Sequence, residues 1–193
     1  MTSGAGELEA VWYFGRESLG EAEPSPEIAF IAITDPGDRP PVDRIGWGAF
    51  TQIGFADGEY DESVIRLMGA EEFERSFADY FNADRSRAIQ RFVTQVSGRD
   101  GIEELYVFSP HGRSRAPAVA LWAARTCSAA LRPDLTDIPN ELVLALLADP
   151  ARFEDRLRVA KRRAREHFVA ADAPEDTLST WVQQRAEQWL VSG

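Results

Sequence analysis

One short stretch holds most of the chemistry this chain could perform. Ser109-Pro110-His111-Gly112-Arg113-Ser114-Arg115 lies between a strand-like apolar run, Leu105-Tyr106-Val107-Phe108, and a nearly all-apolar run from Ala116 to Ala124. A polar loop leading from a buried strand into a buried helix turns successive backbone N–H groups and the helix N-terminus toward one concavity, which suits an anion. Gly112 lets the backbone approach a ligand closely, and Arg115 offers a planar donor fork to phosphate oxygens. The plainer alternative is a surface connection whose arginines face water. Ser109 could attack a substrate only with a general base beside it. A thiol ionises near a pKa of about 8.5 and is readily tuned lower, whereas an alcohol needs help. No such base is evident in the sequence.

At these residues the chain resembles the cysteine-dependent tyrosine and dual-specificity phosphatases. Their signature, His-Cys-x-x-Gly-x-Ser-Arg-Ser/Thr, leads from a strand into a buried helix; here it reads Phe108-Ser109-Pro110-His111-Gly112-Arg113-Ser114-Arg115-Ala116. The resemblance extends to a bacterial branch of that family through Ile33-Thr34-Asp35-Pro36-Gly37 and through Pro139-Asn140, covering roughly residues 10–150. It implies a phosphate-binding loop made of Ser109, Pro110, His111, Gly112, Arg113, Ser114 and Arg115, with Ser109 at the nucleophile position and Arg115 gripping phosphate. It also implies an aspartate general acid on a separate loop; Asp57 is the best positional match and Asp61 the second. Neither a cofactor nor a metal is expected, and the implied partner is a phosphorylated protein or a small phosphorylated ligand.

Three departures from the family pattern fall together. Phe108 replaces the histidine that keeps the thiol pKa low, Ser109 replaces the attacking cysteine, and Ala116 replaces the hydroxyl that stabilises the thiolate. The set that supports a thiolate is gone, while the phosphate-gripping Gly112, Ser114 and Arg115 remain. The leading expectation is a catalytically impaired phosphatase-like protein that binds phosphate or a phosphorylated residue. The alternatives are an active tyrosine phosphatase carrying an engineered Cys-to-Ser substitution at 109, and a non-catalytic interaction module with a vestigial pocket. His111 lies two residues from Ser109, but loop side chains in the family point outward.

Other patterns compete. Gly112-Arg113-Ser114-Arg115-Ala116 looks like a degenerate nucleophile elbow with His167 downstream, though Pro110-His111 intervene after the strand. A Walker-type loop fails because no Gly-Lys-Ser/Thr follows the glycine. Arg156, Arg158, Lys161, Arg162, Arg163 and Arg165 form a basic run; Arg158, Arg162 and Arg165 could share one helical face and meet an acidic surface. Trp181 and Trp189 fall on one helical face with Leu178, Val182 and Leu190 nearby, as in a packed terminal helix.

The rest of the chain must position that loop. At 193 residues and 44% apolar content it can bury one sizeable core. A net charge of −11 repels phosphate backbones and anionic lipid, so neither nucleic acid nor a membrane surface is an expected partner. The first residues carry no basic and apolar leader, and no apolar run is long enough to span a membrane, so a cytoplasmic location is expected. Cys127 is the sole cysteine and His111 and His167 are the only histidines, which excludes an intrachain disulfide and His- or Cys-rich metal sites.

Val11–Phe14, Ile28–Ile33 and Ala49–Phe55 read as strands, with a Pro/Gly-rich loop from Thr34 to Pro41. Apolar spacing from Ser86 to Val96 predicts a helix that Gly98 ends, with Arg85, Arg87 and Arg91 outward. Further helices are predicted near 139–148, 150–170 and 175–191. The expected fold is α/β, a three-layer sandwich of the tyrosine-phosphatase type with helices on both faces of a central sheet. Residues 1–150 form the phosphatase-like domain, and 151–193 a C-terminal helical extension packed on it.

Overall fold

The computed structural model describes residues 8–171, with side chains as far as residue 166. The protein is α/β, built on an all-parallel five-stranded sheet flanked by helices. The strands are β1 (Ala10–Phe14), β2 (Ile28–Thr34), β3 (Ala49–Gly54), β4 (Glu104–Phe108) and β5 (Ala130–Arg132), in the order β3-β2-β4-β1-β5. β2 is buried on both faces, as its unbroken apolar run Ala29 to Ile33 dictates for an inner parallel strand.

Alternation along the strands sorts the side chains between two layers. On one face α4 (Arg115–Cys127) lies over β1, β4 and β5, α3 (Ala83–Ser97) lies over β3, and α5 (Glu141–Ala148) packs against both helices. On the other face Phe30, Trp47 and Phe108 form an aromatic cluster, joined by Phe14 and Tyr106 and covered by the short 3-10 helix Arg16–Glu21 and the connection leading to β3. The sequence did not reveal this 3-10 helix or the short β5.

Local chemistry sets the helix ends. Asn82 caps α3 by accepting the Arg85 N–H (3.1 Å), and the stripe Ser86, Ile89, Val93, Val96 is buried as its spacing requires. Ser86, fully buried, donates to the Leu146 carbonyl (2.7 Å) and so fastens α3 to α5. Gly98 does end α3, but at φ −104°, without a left-handed turn. Arg85 departs from the expected outward face: its guanidinium donates to the carbonyls of Gly54 (2.8 Å), Ala78 (2.8 Å) and Tyr80 (2.6 Å), bracing the end of β3. Asn140 caps α5 through Val143 N (2.9 Å), so Pro139 stands just outside the helix.

The chain divides into two compact units. The sheet, α3, α4 and α5 belong to the first. The second takes in Glu62–Ser76 and the chain from Phe153, so it contains α1 (Glu62–Met68), α2 (Ala70–Ser76) and α6 (Glu154–Ala171). A boundary at residue 150 alone would have grouped residues 62–76 with the sheet. Within the second unit the basic run meets acidic partners through other residues than spacing suggested. Arg156 pairs with Glu62 (2.7 Å) and Lys161 with Glu74 (2.6 Å), while Arg158 and Arg162 pair along α6 itself with Asp155 and Glu166. The helix expected over 175–191, with Leu178, Trp181, Val182, Trp189 and Leu190, lies outside the described residues. No described helix is long and apolar enough to cross a membrane.

Candidate functional site

Because every strand is parallel, the chain leaves β1, β2, β3 and β4 at one edge of the sheet. From β2 it runs on to β3 at one side, and from β4 to β5 at the other. Such a reversal opens a crevice beyond the strand ends, where α/β folds hold ligands. The loop Ser109–Ser114 sits at that edge, between β4 and the first turn of α4.

Its shape depends on a glycine pair. Gly112 has φ +68°, in the left-handed region that glycine enters without penalty. A Cβ there would run into the backbone of Gly15, just after β1. A Cβ on Gly15 would in turn come within 2.7 Å of the His111 carbonyl oxygen. The close approach that Gly112 permits is therefore to Gly15. The Arg16 N–H donates to the Pro110 carbonyl (3.2 Å) and the Gly112 N–H to the Ser109 carbonyl (3.1 Å), which completes the turn. The N–H groups of His111, Arg113, Ser114 and Arg115 have no protein acceptor among the described residues. His111 and Arg113 are exposed and point outward, lining a groove of about 910 Å³ with Trp12, Tyr106 and Arg16.

Arg115 is the opposite of a solvated surface arginine. It is 3% exposed, stacked over Phe55, and its Nη1 donates to Asp35 Oδ1 (2.8 Å), to the Thr34 carbonyl (3.4 Å) and to the Phe55 carbonyl. These acceptors come from the ends of β2 and β3, and the Asp35 carboxylate offsets much of what burying a cation costs. All of this falls on one nitrogen. Among the described residues, Nε is buried without a hydrogen-bond partner. An orphaned charged donor is expensive unless a ligand or water meets it.

Asp57 stands opposite that donor, its Oδ2 3.9 Å from Arg115 Nε. Its Oδ1 accepts from Ser114 Oγ (2.8 Å) and from Asn140 Nδ2 (3.1 Å). The aspartate expected from its place after β3 thus meets the loop. Asp61 lies exposed four residues on. Sequence reasoning missed the part played by Asn140. It caps α5, its Nδ2 also reaches the Gly58 carbonyl (3.4 Å), and its N–H donates to the Ser114 carbonyl (3.2 Å). The sequence offered Asn140 only as part of the Pro139-Asn140 match; neither its capping of α5 nor its hold on Asp57 was legible there.

Ser109 is 2% exposed, and its Oγ accepts the Ala116 N–H (3.3 Å) at the start of α4. No histidine or carboxylate is hydrogen-bonded to it among the described residues. Phe108, just before it, places a ring 1% exposed in the aromatic cluster, and Ala116 is fully buried. Ser114, the serine of the nucleophile-elbow alternative, lies at the N-cap of α4 and donates to Asp57. The side chain of His167 lies outside the described residues. Among the described residues no group of three or more His, Cys, Asp or Glu could hold a metal. Comparison with protein-family models, curated proteins and solved structures finds no match for this chain.

Proposed function

We propose that this chain is a phosphatase-like protein that holds phosphate, or a phosphorylated residue, and turns it over negligibly. The observation that carries the reading is Arg115: a guanidinium 3% exposed, aimed by β2 and β3, its Nε lacking an acceptor among the described residues, beside a loop of unpaired N–H groups. An oxyanion bound there would satisfy the buried donor and sit at the N-terminus of α4. Turnover requires an attacking group, and among the described residues the Ser109 hydroxyl meets a helix N–H where a general base would have to stand.

The test pairs two measurements on the full chain: calorimetric titration with inorganic phosphate, and hydrolysis of an aryl phosphate. Binding without hydrolysis is expected, with binding lost in Arg115→Ala and weakened at least about tenfold in Arg115→Lys, which keeps the charge but not the fork. Hydrolysis that disappears in Ser109→Ala overturns the inactive reading. The three protein acceptors on Nη1 favour a second reading, in which Arg115 is a structural tie between strand ends. That reading requires both substitutions to lower stability while the parent chain binds no phosphate.

A further inference from the structure

Two atoms at the site are each short of a partner, and they are complementary. Arg115 Nε is a buried donor with no acceptor among the described residues. Asp57 Oδ2 is an acceptor to which no described residue donates, since both donors on this carboxylate go to Oδ1. At 3.9 Å the two are too far apart to satisfy each other by hydrogen bonding. We propose that Asp57 makes the site selective for an oxyanion that carries a proton, such as hydrogen phosphate or the monoanion of a phosphomonoester, over one that carries none. This rests on the phosphate-holding reading and adds the ligand's protonation state to it.

A protonated phosphate has both kinds of oxygen on one phosphorus. A bare oxygen accepts from Nε, while the P–O–H donates to Oδ2. Sulfate at neutral pH has no proton to give, so satisfying Nε would press an oxygen lone pair against a carboxylate. Neither aspartate near the guanidinium relieves this conflict. Asp35 is already bonded to Nη1, on another edge of the guanidinium. Asp57 is pinned by Ser114 from the loop itself and by Asn140 from the cap of α5, so turning it aside breaks two hydrogen bonds. Arg113 and His111 face outward and offer no compensating charge within the site.

The experiment titrates the full chain with inorganic phosphate and with sulfate at pH 7 and matched ionic strength, then repeats both with Asp57→Asn. Phosphate should bind the parent at least about tenfold more tightly, the size of one hydrogen bond to a charged group. In Asp57→Asn, whose amide can offer an N–H, the preference should fall to about twofold or less, chiefly through tighter sulfate binding. Equal affinities in the parent overturn the selectivity and leave the phosphate-holding reading intact. So does an undiminished preference in an Asp57→Asn chain that melts like the parent. Failure of the parent to bind either anion removes both. The parent comparison needs no variant, so a poorly folding Asp57→Asn cannot shelter the proposal.

Discussion

A cysteine at position 109 would sit against the Ala116 N–H at the start of α4, where a thiol ionises without a neighbouring base. Ser109→Cys should therefore introduce slow aryl-phosphate hydrolysis. Adding Ala116→Ser, which offers a hydroxyl donor to the thiolate, should raise the rate by at least about tenfold. Equal rates in the two variants would instead favour a chain that differs from an active enzyme at position 109 alone. Placing a histidine at 108 is another matter, because the Phe108 ring is packed among Phe14, Phe30 and Trp47. Phe108→His should cost about 3 kcal/mol in urea unfolding, from lost burial and an imidazole placed in an apolar cluster. Glycine positions separate strain from crowding. Gly37 has φ +84° with nothing near its missing Cβ. Gly37→Ala should therefore cost about 1 kcal/mol, from backbone strain alone. At Gly112 the same strain is joined by collision with Gly15. Gly112→Ala should cost about 3 kcal/mol or more and abolish phosphate binding.

Among the elements, the first turns of α4 and α5 depend on each other through Asn140. One side chain caps α5 and holds Asp57, while its N–H takes the Ser114 carbonyl at the head of α4. Asn140→Asp keeps the capping oxygen but loses the amide donors, whereas Asn140→Ala loses both. Asn140→Ala should lower stability by about 2 kcal/mol and Asn140→Asp by less; both should blunt the discrimination between phosphate and sulfate, since Asp57 then keeps only its Ser114 bond. Chemical denaturation gives the first quantity and the anion titrations the second. In the second unit, the pairs Arg156–Glu62 and Lys161–Glu74 join α6 to α1 and α2 but lie half exposed. Each therefore contributes little, and less still in high salt.

Across the molecule, the stretch after β3 is held by Tyr60 as well as Asp57. The Tyr60 hydroxyl donates to the Phe81 carbonyl (2.8 Å), and burial pushes its pKa up to about 12, with Arg85 opposing the shift. An acid whose folded pKa is raised contributes stability that is fully present below its unfolded value, here near 10. That stability is lost as pH climbs through the folded one. Unfolding monitored between pH 10 and 12 should show that loss, and Tyr60→Phe should shrink it. Sequence alone determined strands β1 to β4, the order of polar loop and buried helix over 109–124, and the buried stripe of α3, because each is a local pattern of apolar period and turn chemistry. Tertiary structure decided the rest. Spacing puts Arg85 toward solvent, and only the ends of β3 and of the 77–81 turn supply its carbonyl acceptors; Asn140 gains its cap role and its hold on Asp57 only in the folded chain. The facing of Arg115 Nε and Asp57 Oδ2 joins positions far apart along the chain, and only the parallel sheet, which gathers its strand ends at one edge, could bring them within 3.9 Å.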